Sequence, residues 1–574
     1  MKIHSTKFQA DKTKLTSMKK ILFLLFILLT AKSFAQLKIV NTTLMIQPGG
    51  TLTVLGDITS NVAIQGAGLV LLKGSTLQNI DMGTNAIPNL ELDNTANATL
   101  LNTDTRIANS LVLTNGKLQT GDLNLILGPA GAITGGSTSS FVRINGTGQL
   151  KKELTGDVTS FELPVGENAN YRPAYLTTSG CSYSNANFGV RVLGTPDPNK
   201  PLMAASFLNT SWPVTKTGIN GGTLTLAGQY IDPLDIIGTE SNLVGYYNNG
   251  TDWSSLGETH NTSTNRVSAP ITTITGSLSG INKFLLVGAR AFLQGAYSTS
   301  TGLMTDKLRT LPFGSPTNTG NFPSTDPYRV SPYNAAFQHV NNIGIEGIIN
   351  AGVVGVQPSP SDNIVDWVFL ELRNTGSSPN SVLQTRSALI QKDGDIVDMD
   401  GVSPVTFNNL PDGNYVLAVR HRNHLGLRID QAFPRSINET KSTAFTTNVI
   451  DFRTATDAQL FGTSVAFNTA THPVLGTVNL LWGGNANGFS TTGNSTVRGN
   501  GGSNPLLNDY LYLFTTVLGG NFNNTISNVY NNADLNMDGT VRANGGSNPA
   551  VNDFLFLITA VLVGNINRVI FQQL

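Results

Sequence analysis

The chain has 574 residues, of which 59 are Gly, one is Cys and only 13% are charged. That length suits several domains of roughly 100 to 200 residues each, and such a Gly-rich, charge-poor composition favours short strands and tight turns over solvated helices. The 36 basic and 36 acidic residues balance, but residues 1–35 hold seven Lys and one Asp, so the rest carries 29 against 35, a net of −6; this excludes the basic stripe of a nucleic-acid binder, and the lone Cys181 excludes a disulfide framework.

The first element is a secretory signal over residues 1–35: Lys19 and Lys20, the apolar run Ile21 to Leu29, and Ser33-Phe34-Ala35 as a small-x-small cleavage pattern. The mature chain is expected to begin at Gln36, with Met18 as an alternative start. The apolar run is too short for a span of about 20 residues and no later run is longer, so no transmembrane segment is expected after cleavage. The expected localisation is secreted, extracellular or at the cell surface.

Residues 36–148 read as short alternating strands cut by Gly, Asn or Asp, in TLTVLGDIT (51–59), GLVLLKGSTLQNID (68–81), PNLELDNT (88–95) and NSLVLTNGKLQTGDLNLILGP (109–129). Recurrence at roughly 20 residues is the sign of a solenoid. In texture the stretch resembles the repetitive β regions of bacterial filamentous-haemagglutinin adhesins; an open β-sandwich is the alternative. Residues 149–290, with FELPVGENANYRPAYLTT (161–178) and INKFLLVGAR (281–290), read as a β-sandwich. The Pro-rich run 312–332 within 291–361 reads as an irregular connection, because Pro removes ladder donors. Residues 362–470 alternate strongly, with DG turns at 393–394 and 412–413. The run Phe407 to Val419 resembles the closing strands of prealbumin-like sandwiches, which implies a structural module without a reaction.

Residues 471–574 contain a repeat. STVRGNGGSNPLLNDYLYLFTTVLGGN (495–521) aligns with GTVRANGGSNPAVNDFLFLITAVLVGN (539–565) at an offset of 44, with 18 of 27 positions identical. Ahead of the second copy stands DLNMDG, with side-chain oxygens at Asp534, Asn536 and Asp538 and a turn glycine at Gly539. This spacing opens a Ca²⁺ loop; an Asx-rich turn is the bland alternative. Two copies of loop plus apolar helix, here Asp509 to Leu518 and Asp553 to Val563, resemble the duplicated unit of type I dockerins. Position 12 of the loop falls on Gly545, where that family has a carboxylate, so ANGGSNPAV reads as an insertion and Asp553 as the closing acid. The expected calcium ligands are Asp534, Asn536, Asp538, the Thr540 carbonyl and Asp553. The first copy has Asn485, Asn487 and Asn494 at the ligand positions, leaving Asp509 as its acid. The dockerin likeness also implies a cohesin-like protein partner, although the insertion alters the surface that family uses.

Other candidate chemistry is thin. His421 and His424 would not share one face of a strand with period two, which argues against a zinc pair. Asp395, Asp398 and Asp400 read as turn chemistry or a second calcium site, and Cys181 as a small thiol outside any nucleophile pattern. The acids Asp57, Asp81, Glu91, Asp93, Asp104 and Asp122 are scattered, unlike a lyase face. Trp253, Tyr246 and Tyr247 are candidates for exposed sugar-stacking rings, with core positions as the alternative. The fold class expected is therefore mainly β: a solenoid-like region, two sandwiches and a small helical dockerin-like module. The expected function is a secreted, non-enzymatic adhesin contacting glycans or cell surfaces; the alternatives are a polysaccharide-active enzyme or accessory subunit, and a scaffold binding a cohesin-like partner.

Overall fold

The structure is a computed structural model that describes residues 36–574, apart from 256–259, 315–319, 343, 375–380, 411–412, 430–432, 436–440, 443–448, 463–464 and 489–495. Residues 1–35, expected as a secretory signal, and Asn494 lie outside the described residues. The protein is mainly β, 45% strand and 9% helix, with a β-solenoid of about six turns. No helix of the described residues is long and apolar enough to cross a membrane. The chain divides into two compact units, one holding the described residues up to Leu193 with Trp212–Leu224, the other Gly194–Ser211 and Thr225–Leu574.

In the first unit each coil visits three parallel faces. One face stacks Leu37–Ile39, Ile58–Ser60, Gln78–Asp81 and Ala98–Leu100, then the end of the long strand Thr105–Gln119, then Ser140–Arg143 and Val165–Glu167. A second stacks Thr51–Val54, Leu69–Leu72, the Leu90–Leu92 segment, Leu111–Leu113 and Ala132–Thr134. The third pairs Met45–Ile46 with Gln65–Gly66, and later Thr105–Ile107 with Leu125–Leu127 and then Leu150–Lys152. Register sets aliphatic side chains above one another, Val70, Leu90 and Leu111 on one face, Ile87, Ile107 and Leu127 on another, all at most 1% exposed. Alternation in the sequence thus becomes an aliphatic column, each rung burying what the next would expose. Thr105–Gln119 turns a corner at Gly116, φ +87°, where a Cβ would stand 1.9 Å from the Asn94 carbonyl oxygen, so only glycine fits. The open parallel edge is closed by antiparallel pairings, Leu150–Leu154 with Ser182–Val190 and Gly166–Glu167 with Asn170–Tyr171, which removes a template for edge-to-edge association.

The second unit is built on a sheet in the order His424–Arg428, Gly413–His421, Ile364–Asn374, Val382–Gln391, Asp395–Val397, Ala289–Arg290, Ile450–Asp451. Ile364–Asn374 is buried along its whole length except Asn374. The described part of 291–361, expected as a linker and irregular region, holds only short 3₁₀ turns and two-residue strands, yet its Tyr328, Tyr333 and Phe337 pack into this core, with the Tyr328 ring 5.5 Å from Phe369 and its hydroxyl donating to the Trp367 carbonyl at 2.9 Å. Trp367 is fully buried and its Nε1 donates to the Pro323 carbonyl at 3.0 Å. Trp367→Ala is expected to lower stability by about 3–5 kcal/mol, the range for large aromatic truncations in cores, read by denaturant unfolding; a loss under about 1 kcal/mol would place Trp367 outside the core.

Trp253, Tyr246 and Tyr247 are core residues, 2%, 0% and 0% exposed. Trp253 and Tyr246 meet edge-to-face at 6.3 Å and both contact the Phe284 ring. The idea that they form an exposed sugar platform is therefore corrected: cross-strand pairing of Leu243–Asn248 with Asp252–Ser254 and Thr275–Asn282 covers them.

Candidate metal centre

The repeated sequence folds as a repeated structure. In each copy a 3₁₀ turn, Pro505–Leu507 or Pro549–Val551, leads into an α-turn, Asp509–Leu511 or Asp553–Leu555, that widens into π-helix over Tyr512–Val517 or Phe556–Val561. Asn508 and Asn552 cap the two helices, accepting from the N–H of Leu511 and Leu555. The copies are interlocked: Thr496–Arg498 of the first pairs with Val569–Phe571, which follows the second helix, and Thr540–Arg542 of the second pairs with Thr525–Ser527, which follows the first.

The second loop winds around its own acids. Asp534 Oδ1 accepts from the Asp538 N–H at 3.0 Å and Oδ2 from the Gly539 N–H at 2.8 Å. Asn536 Oδ1 accepts from Asp538 N–H at 3.2 Å, and Asp538 Oδ1 from Thr540 N–H at 3.0 Å. Gly539 has φ +79°, the conformation for which the sequence placed a glycine there. Asp553 returns from the helix start as a brace. Its Oδ1 accepts from Leu535 N–H at 2.7 Å and its Oδ2 from Arg542 N–H at 2.9 Å, tying both ends of the loop. Thr540 begins the strand that pairs with Thr525–Ser527. The segment ANGGSNPAV supplies the 3₁₀ turn that brings Asp553 back to the loop.

Burial pushes the Asp534 carboxyl up to about 7, with the Asp538 charge adding to it against the Arg422 guanidinium. Asp553 is raised well above the carboxylate range by burial and by the charges of Asp534 and Asp538. Acids that resist ionising beside one another form a site whose electrostatics a divalent cation would relieve, and the donors are the hard oxygens Ca²⁺ prefers. Asp534, Asn536 and Asp538 would supply side-chain oxygens to such an ion, Thr540 its carbonyl and Asp553 a carboxylate already engaged as the loop brace. The first copy keeps the brace without the charge: Asp509 accepts from Asn487 N–H at 3.2 Å and Arg498 N–H at 2.8 Å, as Asp553 does from its own loop, while Asn485 occupies the place of Asp534.

Among the described residues, three acidic or histidine ligand atoms lie within 4.8 Å of one another at Asp326, His339 and Glu346. Arginines fill that cluster. Arg329 lies 3.1 Å from Asp326 and 3.0 Å from Glu346, and Arg386 bridges Glu346 at 3.0 Å and Asp398 at 2.8 Å. Guanidinium groups stand where a cation would sit, so the geometry is that of a buried ion network. The Asp395–Asp400 group is dispersed in the same way: Asp398 goes to Arg386, Asp395 to Arg290, and Asp400 accepts from the Val402 and Ser403 N–H groups of its turn.

His421 and His424 correct the argument from strand faces. Arg422 and Asn423 form the hairpin turn, which makes the two histidines cross-strand partners with Nδ1 atoms 3.0 Å apart. Each Nε2 is used by the protein, that of His421 with Asp366 at 3.1 Å and that of His424 accepting from Gly295 N–H at 2.9 Å. Burial lowers the pKa of both, which favours the neutral imidazoles. The same turn joins the loop to the sheet. Asn423 Nδ2 donates to the Asp534 carbonyl at 2.7 Å, and Arg422 contacts the Asn531 carbonyl. Sequence reasoning flagged RHRNH but missed this role, which rests on partners more than 100 residues away.

The scattered solenoid acids act as braces between rungs. Asp104 accepts from Asn124 twice at 2.8 Å, Asp93 from Asn115 at 2.7 Å, Glu91 from Thr114 at 2.8 Å and Asp122 from Thr147 N–H at 2.8 Å. Cys181 is half-buried, with Sγ against the Gly221 carbonyl at 3.3 Å. No protein family, curated protein or solved structure matches this chain.

Proposed function

We propose that the protein is a secreted, non-enzymatic adhesin-like protein that contacts glycans or cell surfaces and carries a dockerin-like C-terminal module stabilised by Ca²⁺. The observation behind this reading is the ladder of amide, hydroxyl and carboxylate groups on the outer turns of the solenoid. Asn41–Asn61, Asp81–Asn102 and Asn145–Asn168 link side chains of successive coils at 2.7, 2.7 and 3.2 Å. Rungs about 4.8 Å apart present the same polar groups repeatedly, an arrangement suited to many weak contacts with a repeating ligand. The acids of that ladder are occupied as braces, which supports binding over turnover.

A second reading, capture of a protein through the C-terminal module, draws on an aromatic group shared by the two repeats. The Phe522 ring lies 4.9 Å from Phe514 and 5.3 Å from Phe554, and Tyr510 lies 5.2 Å from Phe554; Phe522 is 37% exposed.

The test is a glycan array probed with the chain, run beside a reducing-end assay on the same polysaccharides. Retention without release of reducing ends is expected. Release of reducing ends would replace the adhesin with an enzyme, and a blank array would remove the glycan reading.

A further inference from the structure

A cavity of about 520 Å³ opens in the second unit where the chain passes from Thr275–Asn282 through Lys283 into the strand Phe284–Val287. That volume lies within the range of about 300–1,000 Å³ typical of small-molecule sites. Ser241 and Asn242, on the 3₁₀ turn Glu240–Asn242, line one part of it, and His260 and Thr262 line another. Tyr230 ties the two together, its hydroxyl donating to Glu240 Oε1 and meeting His260 Nε2 at 2.7 Å. Lys283 and Asn409 stand beside each other in the lining, because the Lys283 carbonyl accepts from the Asn409 N–H and from Asn282 Nδ2, both at 2.7 Å.

Two groups of the lining are left without a partner. Lys283 is its one cation, and among the described residues its ammonium makes no hydrogen bond or ion pair. No carboxylate belongs to the lining; Glu240 stands outside it, engaged by Tyr230. A hydroxyl has one proton to give, and that of Tyr230 goes to Glu240, so His260 Nε2–H is the donor in their contact. The neutral ring then keeps an acceptor lone pair on Nδ1. Burial lowers the His260 pKa against the Glu240 charge, which favours that neutral ring. Neither Lys283 Nζ nor His260 Nδ1 is among the enclosed polar atoms of the described residues, so a ligand can reach both.

We infer that this cavity binds an acidic saccharide, its carboxylate on Lys283 and a sugar hydroxyl donating to His260 Nδ1. This inference rests on the glycan reading above and gives it a place and a charge class. An ammonium and a carboxylate form a charge-assisted hydrogen bond, stronger than a neutral hydroxyl can offer. The rest of the lining sets four hydroxyl or amide side chains, those of Ser241, Asn242, Thr262 and Asn409, against the two aliphatic ones of Leu243 and Val244. Hydroxyls and amides both donate and accept, which suits a polyol and leaves a fatty or aromatic acid poorly matched.

The experiment is calorimetric titration of the full chain with tetragalacturonate, 3′-sialyllactose and cellotetraose. Lys283→Met removes the charge, Lys283→Arg keeps it, and Thr262→Trp fills the cavity from its exposed rim; Lys38→Met, at an exposed solenoid position, is the control for diffuse charge. At least one of the two acidic saccharides is expected to bind tenfold or more tighter than cellotetraose. That affinity should fall tenfold or more in Lys283→Met and in Thr262→Trp, return in part in Lys283→Arg and hold in Lys38→Met. Equal affinity in wild type, Lys283→Met and Thr262→Trp would overturn the site while leaving glycan contact by the chain intact, and an equal loss in Lys38→Met would reduce the binding to diffuse charge. Cellotetraose binding as tightly as both acids would overturn the acidic class. Failure of all three to bind, with a positive glycan array, would overturn the cavity alone; failure of both would remove the glycan reading with it.

Discussion

Asp366→Ala is expected to destabilise the unit built on Ile364–Asn374 by about 3–5 kcal/mol, the cost of leaving a buried ion without its partner. Asp366 and Arg422 are both fully buried and meet at 2.9 Å. Every lone pair of the carboxylate is used: Oδ2 accepts from Arg422 Nε and faces His421 Nε2 at 3.1 Å, while Oδ1 accepts from the Tyr530 hydroxyl at 2.7 Å and the Trp367 N–H at 2.8 Å. Burial alone would raise the Asp366 carboxyl, but the Arg422 charge and the His421 bond outweigh it and hold its pKa below the ordinary value. Removing the carboxylate strands a guanidinium that also lies 4.4 Å from the Tyr530 ring and contacts the Asn531 carbonyl. The loss is therefore expected to reach the C-terminal repeat as well as the sheet. Denaturant unfolding followed by tryptophan emission reads it, since Trp367 and Trp482 report on the two regions. Asp366→Ala/Arg422→Met, which removes both charges, should recover a substantial part. A single mutant within about 1 kcal/mol of wild type, or a double mutant worse than the sum of the singles, would refute the account.

Chelation of calcium is the second large effect expected under the proposed reading. A ligand present at a hundred times its Kd stabilises the folded state by about 2.7 kcal/mol, so EGTA should lower the thermal midpoint of the full chain in proportion. The full chain is the right sample, because Tyr530 and Met537 belong to the core of the sheet while Leu425 and Trp482 belong to that of the repeat. Asp538→Asn should abolish the difference between calcium and EGTA, and Asn487→Ala, in the copy without Asp534's charge, should leave it in place. The sign with pH follows from the raised carboxyls. Without metal, the folded state keeps a proton on Asp534 up to about 7, while the unfolded chain releases it near 3.9. Metal-free stability contributed by this group therefore falls as pH rises through that window. Calcium needs the deprotonated form, so the gap between calcium and EGTA should widen from pH 5 to pH 8. Equal midpoints at every pH would reduce DLNMDG to a turn.

What the sequence determined by itself was local and periodic. Alternating apolar residues at intervals near 20 gave the solenoid, since an aliphatic column needs only that each rung repeat its neighbour's pattern. The offset of 44 gave two copies of loop and helix, and Gly539 gave the sharp turn, because a positive φ is a property of the residue standing there. Tertiary structure alone decided which side chains are covered and by what. Trp253 and Tyr246 read equally well as platform or core until strands pairing across the sheet closed over them. His421 and His424 lay on opposite faces of an imagined single strand, and a two-residue turn made them neighbours. The chain from Tyr328 to Phe337 has no period of its own, so its burial against Phe369 was invisible. Asp553 reads as a loop-closing acid by spacing, yet its engagement with both ends of the loop depends on the Pro549–Val551 turn, and the loop's anchoring depends on Asn423, 111 residues before Asp534. Burial and partnership are set by contacts distant along the chain, and no short stretch of residues carries the identity of the surface that will meet it.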